Sequence, residues 1–287
     1  MILIVGGTGN VGRHVVAALV ERGESVRVLT RDPERARALL GAGAEVVAGD
    51  LTDPSSLGPA LQGVETVYLA TNRGDQALME STLIEAATGA GVRHIVKISL
   101  VGATRDTFVA LARTHAAIEG TLAASGIPAT VLRANYFMDN FLGSADTIAG
   151  QGAVYGAAGD GKFAFVDARD IAAVAVTALT EGGHEGKTYA ITGPEALTFA
   201  EAADKIGAGI GREVRYVDLP DADFQGALAG AGLPGALVEI YAQGHRAARL
   251  GVYAEVTGAV EELTGARART LEAFAHDYAD AFMGAGT

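Results

Sequence analysis

The chain has 287 residues, about half of them hydrophobic, with a formal net charge of −12 and no cysteine. This composition excludes a disordered chain, disulfide bonds, thiolate metal sites and a cysteine nucleophile, and the acidic balance argues against general nucleic-acid binding. No apolar run reaches the roughly 18 residues that span a bilayer, and residues 1–5 are too short, and lack the basic region, for a signal peptide. We therefore expect a cytoplasmic protein that binds neither nucleic acid nor membrane.

Strands and helices alternate along the first half of the chain. Short apolar runs bounded by turn residues predict strands, and apolar residues at helical spacing predict the segments between them. The predicted order is strand 1–5, helix 11–22, strand 25–29, helix 33–40, strand 45–48, helix 54–61, strand 66–70, helix 77–90, strand 94–99, helix 111–125 and strand 130–133. This alternation favours an α/β fold with a doubly wound parallel sheet, covered by helices on both faces.

After residue 135 the alternation becomes less regular. We predict a helix over 167–179, strands over 188–191 and 214–219, and mostly helical structure from 221 onward. Thr198 and Glu201 form a capping-box pattern, which predicts that a helix begins there.

Glycines follow the first strand in the stretch MILIVGGTGNVGRH. The pattern Gly7-x-Gly9-x-x-Gly12 lies between a strand and a helix, which is the context that the dinucleotide-binding motif requires. The glycines allow a tight turn and a close approach to a pyrophosphate, and the helix N-terminus offers N–H groups to the phosphates. A glycine-rich turn with only a structural role is the alternative. The residues predicted to contact the cofactor here are Gly6, Gly7, Thr8, Gly9, Asn10, Val11 and Gly12.

The end of the second strand indicates which dinucleotide is bound. Arg31 is followed by Asp32, with Arg35 and Arg37 on the next helix. An arginine here suits the 2′-phosphate of NADP, whereas an acidic residue would bind the 2′-hydroxyl of NAD. The arginines predict a preference for NADPH, and Asp32 keeps NAD as the other candidate. A solvated helix start with Arg–Asp pairing is the structural alternative.

Several further motifs resemble one family. GGTGxxG at the start, GDLTD at 49–53, LATN at 69–72, HIVKIS at 94–99 and SGIPATVLRANYFMDN at 125–140 resemble the NmrA-like branch of the atypical short-chain dehydrogenases. FVDARDIA at 165–172 and GKTYAITGPEALTFAEAA at 186–203 continue the resemblance, which is close to about residue 220. Within that branch the chain is similar to the NAD(P)H-dependent quinone, azo dye and triphenylmethane dye reductases.

The resemblance implies a Rossmann-type core with a small, mostly helical C-terminal lobe for the substrate. The core would comprise residues 1–135 and return at about 163–192, and the lobe would comprise 136–162 and 193–287. Asp50 and Leu51 would flank the adenine, and Ser99 would lie near the nicotinamide ribose. The remaining cofactor contacts implied by the resemblance are Ala70 and Thr71 after the fourth strand, and Asn135, Tyr136 and Phe137 beside the nicotinamide.

The chain departs from ordinary short-chain dehydrogenases on the helix after the fifth strand. Ordinary short-chain dehydrogenases carry a Tyr-x-x-x-Lys pair on this helix. In FVALARTHAAIEGTL, Leu111 takes the place of that tyrosine and His115 the place of that lysine. His115 shares one helical face with Leu111, Ile118 and Leu122, so we predict that it points inward and contacts the cofactor or donates a proton. The alternative is a core histidine paired with Glu119. Without the tyrosine, acceptors that take hydride readily, such as quinones, azo groups and enones, are favoured.

Other candidates follow the sixth strand or stand apart from the motifs. Tyr136 and Asn140 are candidate catalytic residues, because the carboxyl edge of the sheet opens onto the ligand crevice. Phe137, Met138 and Phe141 either line an apolar pocket or pack in the core. Asp167 and Asp170 are more consistent with capping a helix than with binding a metal. The remaining histidines lack metal-ligand spacing, so no metal is predicted.

Two functions remain open from the sequence. The first is a reductase that transfers hydride from NADPH to a small conjugated acceptor. The second is a non-catalytic NADP(H)-binding redox sensor, as some NmrA-like proteins are, which would report to a protein partner. The inward His115 and residues 135–141 favour the enzyme, and we expect a monomer or a homodimer.

Overall fold

The computed structural model describes residues 1–71 and 75–284. Seven of the strands in these residues form one sheet in the order β3-β2-β1-β4-β5-β6-β8, and β7 pairs in parallel with β9. The predicted α/β fold with a parallel sheet is confirmed. In chain order the strands are β1 (Ile2–Val5), β2 (Val26–Thr30), β3 (Glu45–Ala48), β4 (Thr66–Leu69), β5 (His94–Leu100), β6 (Ala129–Ala134), β7 (Ala153–Gly156), β8 (Thr188–Ile191) and β9 (Arg215–Asp218).

Helices connect most of the strands. Among those in the described residues, none is at once long enough and apolar enough to cross a membrane. Two 3₁₀ segments, Pro54–Ser56 and Met138–Ser144, precede α3 and α6. The α-helices are α1 (Asn10–Glu21), α2 (Pro33–Leu40), α3 (Leu57–Leu61), α4 (Gln76–Ala90), α5 (Ala110–Ser125), α6 (Ala145–Gln151), α7 (Ala168–Thr180), α8 (Phe199–Ile210), α9 (Asp221–Gly230), α10 (Gly235–Arg249), α11 (Ala259–Thr264), α12 (Leu271–Asp277) and α13 (Ala279–Met283).

The strand order of the large sheet reverses between β1 and β4. Val5 at the end of β1 is in register with Leu29 on one side and with Leu69 on the other, and both pairings are parallel. The connections from β1 lead outward to β2 and β3, whereas β4 leads to β5 and β6 in the other direction. Ligands of doubly wound sheets bind at the carboxyl ends of the strands on either side of such a reversal. The residues after β1 and β4 therefore lie at the expected binding edge.

The chain packs into two compact units. The first comprises Met1–Arg105, Ala112–Arg133 and Ala168–Ala190, and the second comprises Asp106–Leu111, Ala134–Asp167 and the described chain from Ile191 onward. Buried aliphatic side chains from β1, β4 and α4 form a core in the first unit, in which Leu3, Leu69 and Leu83 have no exposed surface. The second unit contains the β7–β9 pair and a cluster of aromatic rings around Phe163, which is also fully buried.

The predicted elements match the structure best where hydrophobic periodicity is strong. Each strand of the large sheet begins and ends within one residue of its prediction, and Thr198 and Glu201 form the capping box of α8. The predicted helix over 54–61 divides into a 3₁₀ turn and α3. The 3₁₀ segment Met138–Ser144, α6 and β7 were not predicted, because each is too short for its periodicity to be recognised.

Candidate active site

The turn after β1 is built from close backbone contacts that only glycine permits. Gly6 has a φ of +85°, and a Cβ atom there would lie 2.0 Å from the carbonyl oxygen of Ala70. A Cβ on Gly12 would lie 2.1 Å from the carbonyl oxygen of Gly6. Gly9 differs, because a Cβ there would meet only the Gly6 oxygen, at 3.2 Å. Gly6 and Gly12 are thus required by the fold itself, whereas Gly9 keeps an open surface.

Among the described residues, no side chain accepts a hydrogen bond from the amides in the first turn of α1. Gly9 is the N-cap residue, no side chain caps the helix, and the first turn contains no acidic residue. Free N–H groups and the positive end of the helix dipole suit a phosphate group. Of the other residues predicted here, Thr8 and Asn10 are exposed, whereas Gly7 and Val11 are buried. This turn therefore fits the pyrophosphate of a dinucleotide.

The three arginines that follow β2 differ in how far they are engaged. Asp32 caps α2, because its Oδ1 accepts the backbone N–H of Arg35 at 3.0 Å. The Arg37 guanidinium donates to the carbonyl of Val46 at 3.3 Å. Arg31 is exposed, and among the described residues its guanidinium forms no hydrogen bond or ion pair. The Arg–Asp pairing considered from the sequence is absent here, and Arg31 is available to an anion.

Asp50 and Leu51 follow β3. The Asp50 carboxylate accepts the amide of Thr52 at 2.9 Å and its hydroxyl at 2.8 Å. These two hydrogen bonds lower the pKa of Asp50, to which the nearby positive charge of Arg31 also contributes. Leu51 is buried in the core of the first unit. Asp50 is therefore an ordered carboxylate close to Arg31.

Ala70 and Thr71 follow β4, and Asn72, which ends the LATN motif, lies outside the described residues. The Thr71 hydroxyl donates to Oε1 of Glu80 at 2.7 Å, and the Thr71 amide donates to the same oxygen at 3.2 Å. Gln76 donates to the Thr71 carbonyl at 2.8 Å and to Glu80 Oε1 at 3.2 Å. Thr71 is therefore held by two side chains from the first turns of α4.

A buried ion pair lies behind Thr71. Lys97 on β5 and Glu80 on α4 have no exposed side-chain surface, and Lys97 Nζ lies 3.1 Å from Glu80 Oε2. Burial lowers the pKa of Lys97, and the Glu80 carboxylate opposes that shift. Lys97 Nζ also lies 3.3 Å from Nδ1 of His115 and donates to the carbonyl of Ile98.

His115 is buried, as predicted, but its partner is Lys97 and not Glu119. Glu119 accepts the Ser99 hydroxyl at 2.5 Å and forms an ion pair with Arg133 at 2.6 Å. Burial lowers the pKa of His115 well below its usual value, and the positive charge of Lys97 lowers it further. The imidazole is therefore neutral near pH 7, which argues against the proton-donor role considered from the sequence. The alternative pairing with Glu119 is wrong, because Ser99 and Arg133 already engage that carboxylate.

Asn135 follows β6 in the second unit and is held by two hydrogen bonds of its side chain. Its amide donates to the Tyr253 carbonyl at 3.0 Å, and its Oδ1 accepts the backbone N–H of Tyr136 at 2.7 Å. Phe137 pairs through its backbone with Val166 and is half-buried. Asn135 thus fixes the backbone at this point, and its amide keeps one further N–H donor.

Tyr136 lies in the aromatic cluster of the second unit. Its ring meets that of Phe163 edge-on at 4.9 Å and that of Phe165 at 5.8 Å. Burial raises the pKa of Tyr136 well above its usual value, and the phenols of Tyr241 and Tyr253 raise it further. The phenol of Tyr136 is therefore protonated near pH 7 and is able to donate a hydrogen bond.

The other residues of this segment divide between core and surface. Met138 and Phe141 are buried, so they pack in the core and do not line an open pocket. Asn140 is half-buried in the 3₁₀ segment. Asp167 and Asp170 are buried at the start of α7. Within residues 1–71 and 75–284, no group of three or more His, Asp or Glu side chains could hold a metal ion.

The sequence analysis did not identify Lys97, Glu80 or Gln76 as residues of this site. A signal was present for Lys97, because it interrupts the apolar strand HIVKIS, and a lysine in a buried strand requires a partner. Glu80 gave a weaker signal, since one acidic residue on a helix is usually exposed. Their pairing depends on the packing of α4 against β5, which no local pattern specifies.

Comparison with known proteins relates this arrangement to reductases. The NmrA-like family matches residues 1–275. The chain is 40% identical to an NAD(P)H azoreductase of Xenophilus azovorans over 98% of this chain and 99% of that protein. It is also 40% identical to a (4-alkanoyl-5-oxo-2,5-dihydrofuran-3-yl)methyl phosphate reductase of Streptomyces griseus, with the same coverage. The structure of an NADPH-dependent quinone oxidoreductase from Escherichia coli in complex with NADPH is 35% identical, with a TM-score of 0.89 over 96% of this chain and 99% of that chain.

Proposed function

The chain belongs to the NmrA-like family, and we propose that it is an NADPH-preferring reductase that transfers hydride to a small, electron-poor conjugated acceptor such as a quinone, an azo dye or an enone. The observation that carries this proposal is the glycine turn at the reversal of the sheet, where no side chain of the described residues caps α1. The three relatives described above support it, because their names specify NAD(P)H or NADPH, or a reductase activity.

The first unit would hold the cofactor through residues that the structure leaves available. Gly9 and the amides at the start of α1 would bind the pyrophosphate, and Arg31 would pair with the 2′-phosphate. Bound NADPH supplies the hydride. Asp32 caps α2, so it is engaged and less suited to bind the 2′-hydroxyl of NAD, and this supports the preference for NADPH.

The choice of acceptor follows from the absence on α5 of the proton-donating tyrosine of ordinary short-chain dehydrogenases. Leu111 takes the place of the family tyrosine, and the imidazole of His115 is neutral because its pKa is lowered. Reduction of an ordinary carbonyl requires a proton donor near the oxygen. Quinones, azo groups and conjugated enones accept hydride with charge delocalised over the acceptor, and their protons can follow from water. The relatives' acceptors are of this conjugated kind.

The test is a screen of NADPH oxidation with quinones, azo dyes and enones as acceptors. We expect turnover with at least one of these classes and slower turnover with NADH. A Gly9→Val variant, with its pyrophosphate surface obstructed, provides the control for NADPH oxidation that does not involve the site. Tight binding of NADPH without turnover of any acceptor would favour the redox sensor instead.

Several properties predicted from the sequence remain part of this proposal. They are the division into a cofactor-binding core and a substrate lobe, the cytoplasmic location, the monomeric or homodimeric state and the lack of a nucleic-acid partner. Binding roles for Asp50, Leu51, Ala70, Thr71, Ser99, Asn135, Tyr136 and Phe137, and catalytic roles for Tyr136 and Asn140, are likewise predictions.

A further inference from the structure

We propose that Lys97 is a positioning residue that holds His115 as the neutral tautomer with its proton on Nε2, so that the ring presents a fixed N–H donor. That this donor serves the nicotinamide cofactor rests on the function proposed above. The tautomer itself follows from the hydrogen bonds of this chain.

Lys97 has three partners within the fold, two through hydrogen bonds and one through an ion pair. An ammonium group has three N–H donors and no acceptor. Its three partners are the Ile98 carbonyl, Glu80 Oε2 at 3.1 Å and His115 Nδ1 at 3.3 Å. Because Lys97 can only donate, Nδ1 must accept and the ring proton must reside on Nε2. Nε2 has no hydrogen-bond partner among the described residues. It is not among their unpartnered polar atoms that are fully buried, so part of its surface is accessible.

Glu80 keeps Lys97 in its charged form. Glu80 Oε1 accepts hydrogen bonds from the amide and the hydroxyl of Thr71 and from Gln76. These three donors hold the Glu80 side chain in place beside Lys97. The ionisable groups joined by the contacts of β5 and α5 are Lys97 and Arg133, which are positive, Glu80 and Glu119, which are negative, and Tyr68, whose pKa is raised by burial and by Glu80. These charges balance, so a proton added to His115 would be an uncompensated buried charge.

Two contacts between β5 and α5 fix the orientation of the ring. Lys97 and Ser99 share one face of β5, and His115 and Glu119 lie one helical turn apart on α5. Lys97 meets His115, and Ser99 donates to Glu119 at 2.5 Å. Glu80, which pairs with Lys97, also accepts a hydrogen bond from the hydroxyl of Thr71, which follows β4. Lys97 therefore connects the edge of the sheet to the ring of His115.

The test observes the ring nitrogens of His115 directly in the cofactor-free protein. Long-range ¹⁵N–¹H correlation spectra distinguish the two tautomers and the protonated form, and the signals of His115 are identified by their loss in a His115→Asn variant. We expect the Nε2–H tautomer alone, with no protonation as the pH falls through about 6.5, the usual pKa of histidine. An Nδ1–H tautomer, or protonation near the usual pKa, would overturn the proposal.

The variant to compare is Lys97→Met with Glu80→Gln, because Lys97→Met alone would leave Glu80 as an unpaired buried charge. The glutamine carbonyl still accepts hydrogen bonds from Thr71. We expect mixed tautomers and a His115 pKa that is higher than in the native protein. The matched control is Lys205→Met with Glu195→Gln. It removes a half-exposed ion pair, in which Lys205 Nζ lies 3.3 Å from Glu195 Oε2, and it should leave the His115 signals unchanged. Native His115 signals in the buried double variant would contradict the role of Lys97.

Addition of NADPH separates this proposal from the proposed function. We expect NADPH to shift the Nε2 signal of the native protein, and the buried double variant to raise the KM for NADPH by about 3- to 10-fold with a smaller change in kcat, the effect of one misplaced neutral hydrogen bond. The Nε2–H tautomer without any response to NADPH would support the positioning role and contradict the cofactor assignment. NADPH turnover with an Nδ1–H tautomer would support the proposed function and contradict the positioning role of Lys97.

Discussion

Gly6 and Ala70, which follow the neighbouring strands β1 and β4, are so close that a Cβ atom on Gly6 would lie 2.0 Å from the Ala70 carbonyl oxygen. This contact joins the two strands at the reversal of the sheet, where the carboxyl ends of parallel strands form a binding edge. It also brings the start of α1 to that edge, because Gly12 packs equally closely on Gly6. The glycines of the motif therefore have different roles, and substitutions can separate them.

We expect Gly9→Val to abolish binding of NADPH while the protein remains folded. A Cβ at Gly9 meets only one backbone oxygen, at 3.2 Å, so the side chain would extend over the surface proposed to bind the pyrophosphate. Gly12→Ala is the matched comparison, because its Cβ would lie 2.1 Å from the Gly6 oxygen and overpacking of this kind costs about 1–3 kcal/mol. Circular dichroism melts and NADPH titrations measure both effects. Normal affinity in Gly9→Val would mean that the turn is only structural.

We expect the preference for NADPH to depend on Arg31, which forms no hydrogen bond or ion pair among the described residues. A hydrogen bond to a charged group contributes roughly 1.5–3 kcal/mol, so Arg31→Ala should weaken NADPH binding by about 10- to 150-fold. Binding of NADH should change little. Arg37→Ala is the control, because Arg37 already donates to the Val46 carbonyl, and it should alter neither affinity much. If the native protein binds both cofactors equally, the assignment of Arg31 is wrong.

The sequence was sufficient to predict the large sheet and the glycine turn, because both depend on local patterns. Strands such as β1 are continuous apolar runs, and Gly6 to Gly12 form a compact motif. The ion pair of Lys97 with Glu80 was not predictable in this way, because its members lie 17 residues apart in sequence (97 − 80) on a strand and a helix. The helical face of α5 indicated that His115 points inward, but the partner of His115 depends on packing.

We expect His115→Ala to act mainly on cofactor binding. The pKa of His115 is lowered well below its usual value by burial and by Lys97, so the imidazolium form that could act as a general acid is not populated near pH 7. Loss of a neutral hydrogen bond should raise the KM for NADPH by about 3- to 10-fold, and the fall in kcat should stay below the roughly 10²–10⁴-fold that removal of a general acid causes.

The pH profile provides the second measurement for His115. The native rate should not decline as the pH rises through about 6.5, since the neutral form already predominates there. His115→Asn is the control, because its amide can accept from Lys97 and still donate. His115→Lys is unsuitable as a variant because it would place a second ammonium beside Lys97. A native rate that falls above pH 6.5 and loses this dependence in His115→Ala would restore the proton-donor role.

His245 should make the stability of the second unit depend on pH. This histidine on α10 is 2% exposed, its Nδ1 accepts the Ala157 amide at 2.9 Å, and its ring stacks on that of Phe224. Burial lowers its pKa to about 4, and the Arg249 cation contributes to this shift. A neutral ring is therefore favoured in the folded protein, whereas the unfolded chain protonates near 6.5.

The sign follows from this difference. The neutral form of His245 contributes fully to the free energy of unfolding above pH 6.5. This contribution is lost as the pH falls from about 6.5 to about 4. The loss is roughly 3 kcal/mol in total, at about 1.36 kcal/mol per pH unit. His245→Leu should lower the free energy of unfolding at pH 7, because the Ala157 amide loses its acceptor, but should flatten the pH dependence in that window. His276→Gln is the control, since its side chain is 81% exposed. Urea unfolding of the three proteins between pH 4 and pH 7 measures the slopes, and an unchanged slope in His245→Leu would show that other groups determine the acid sensitivity.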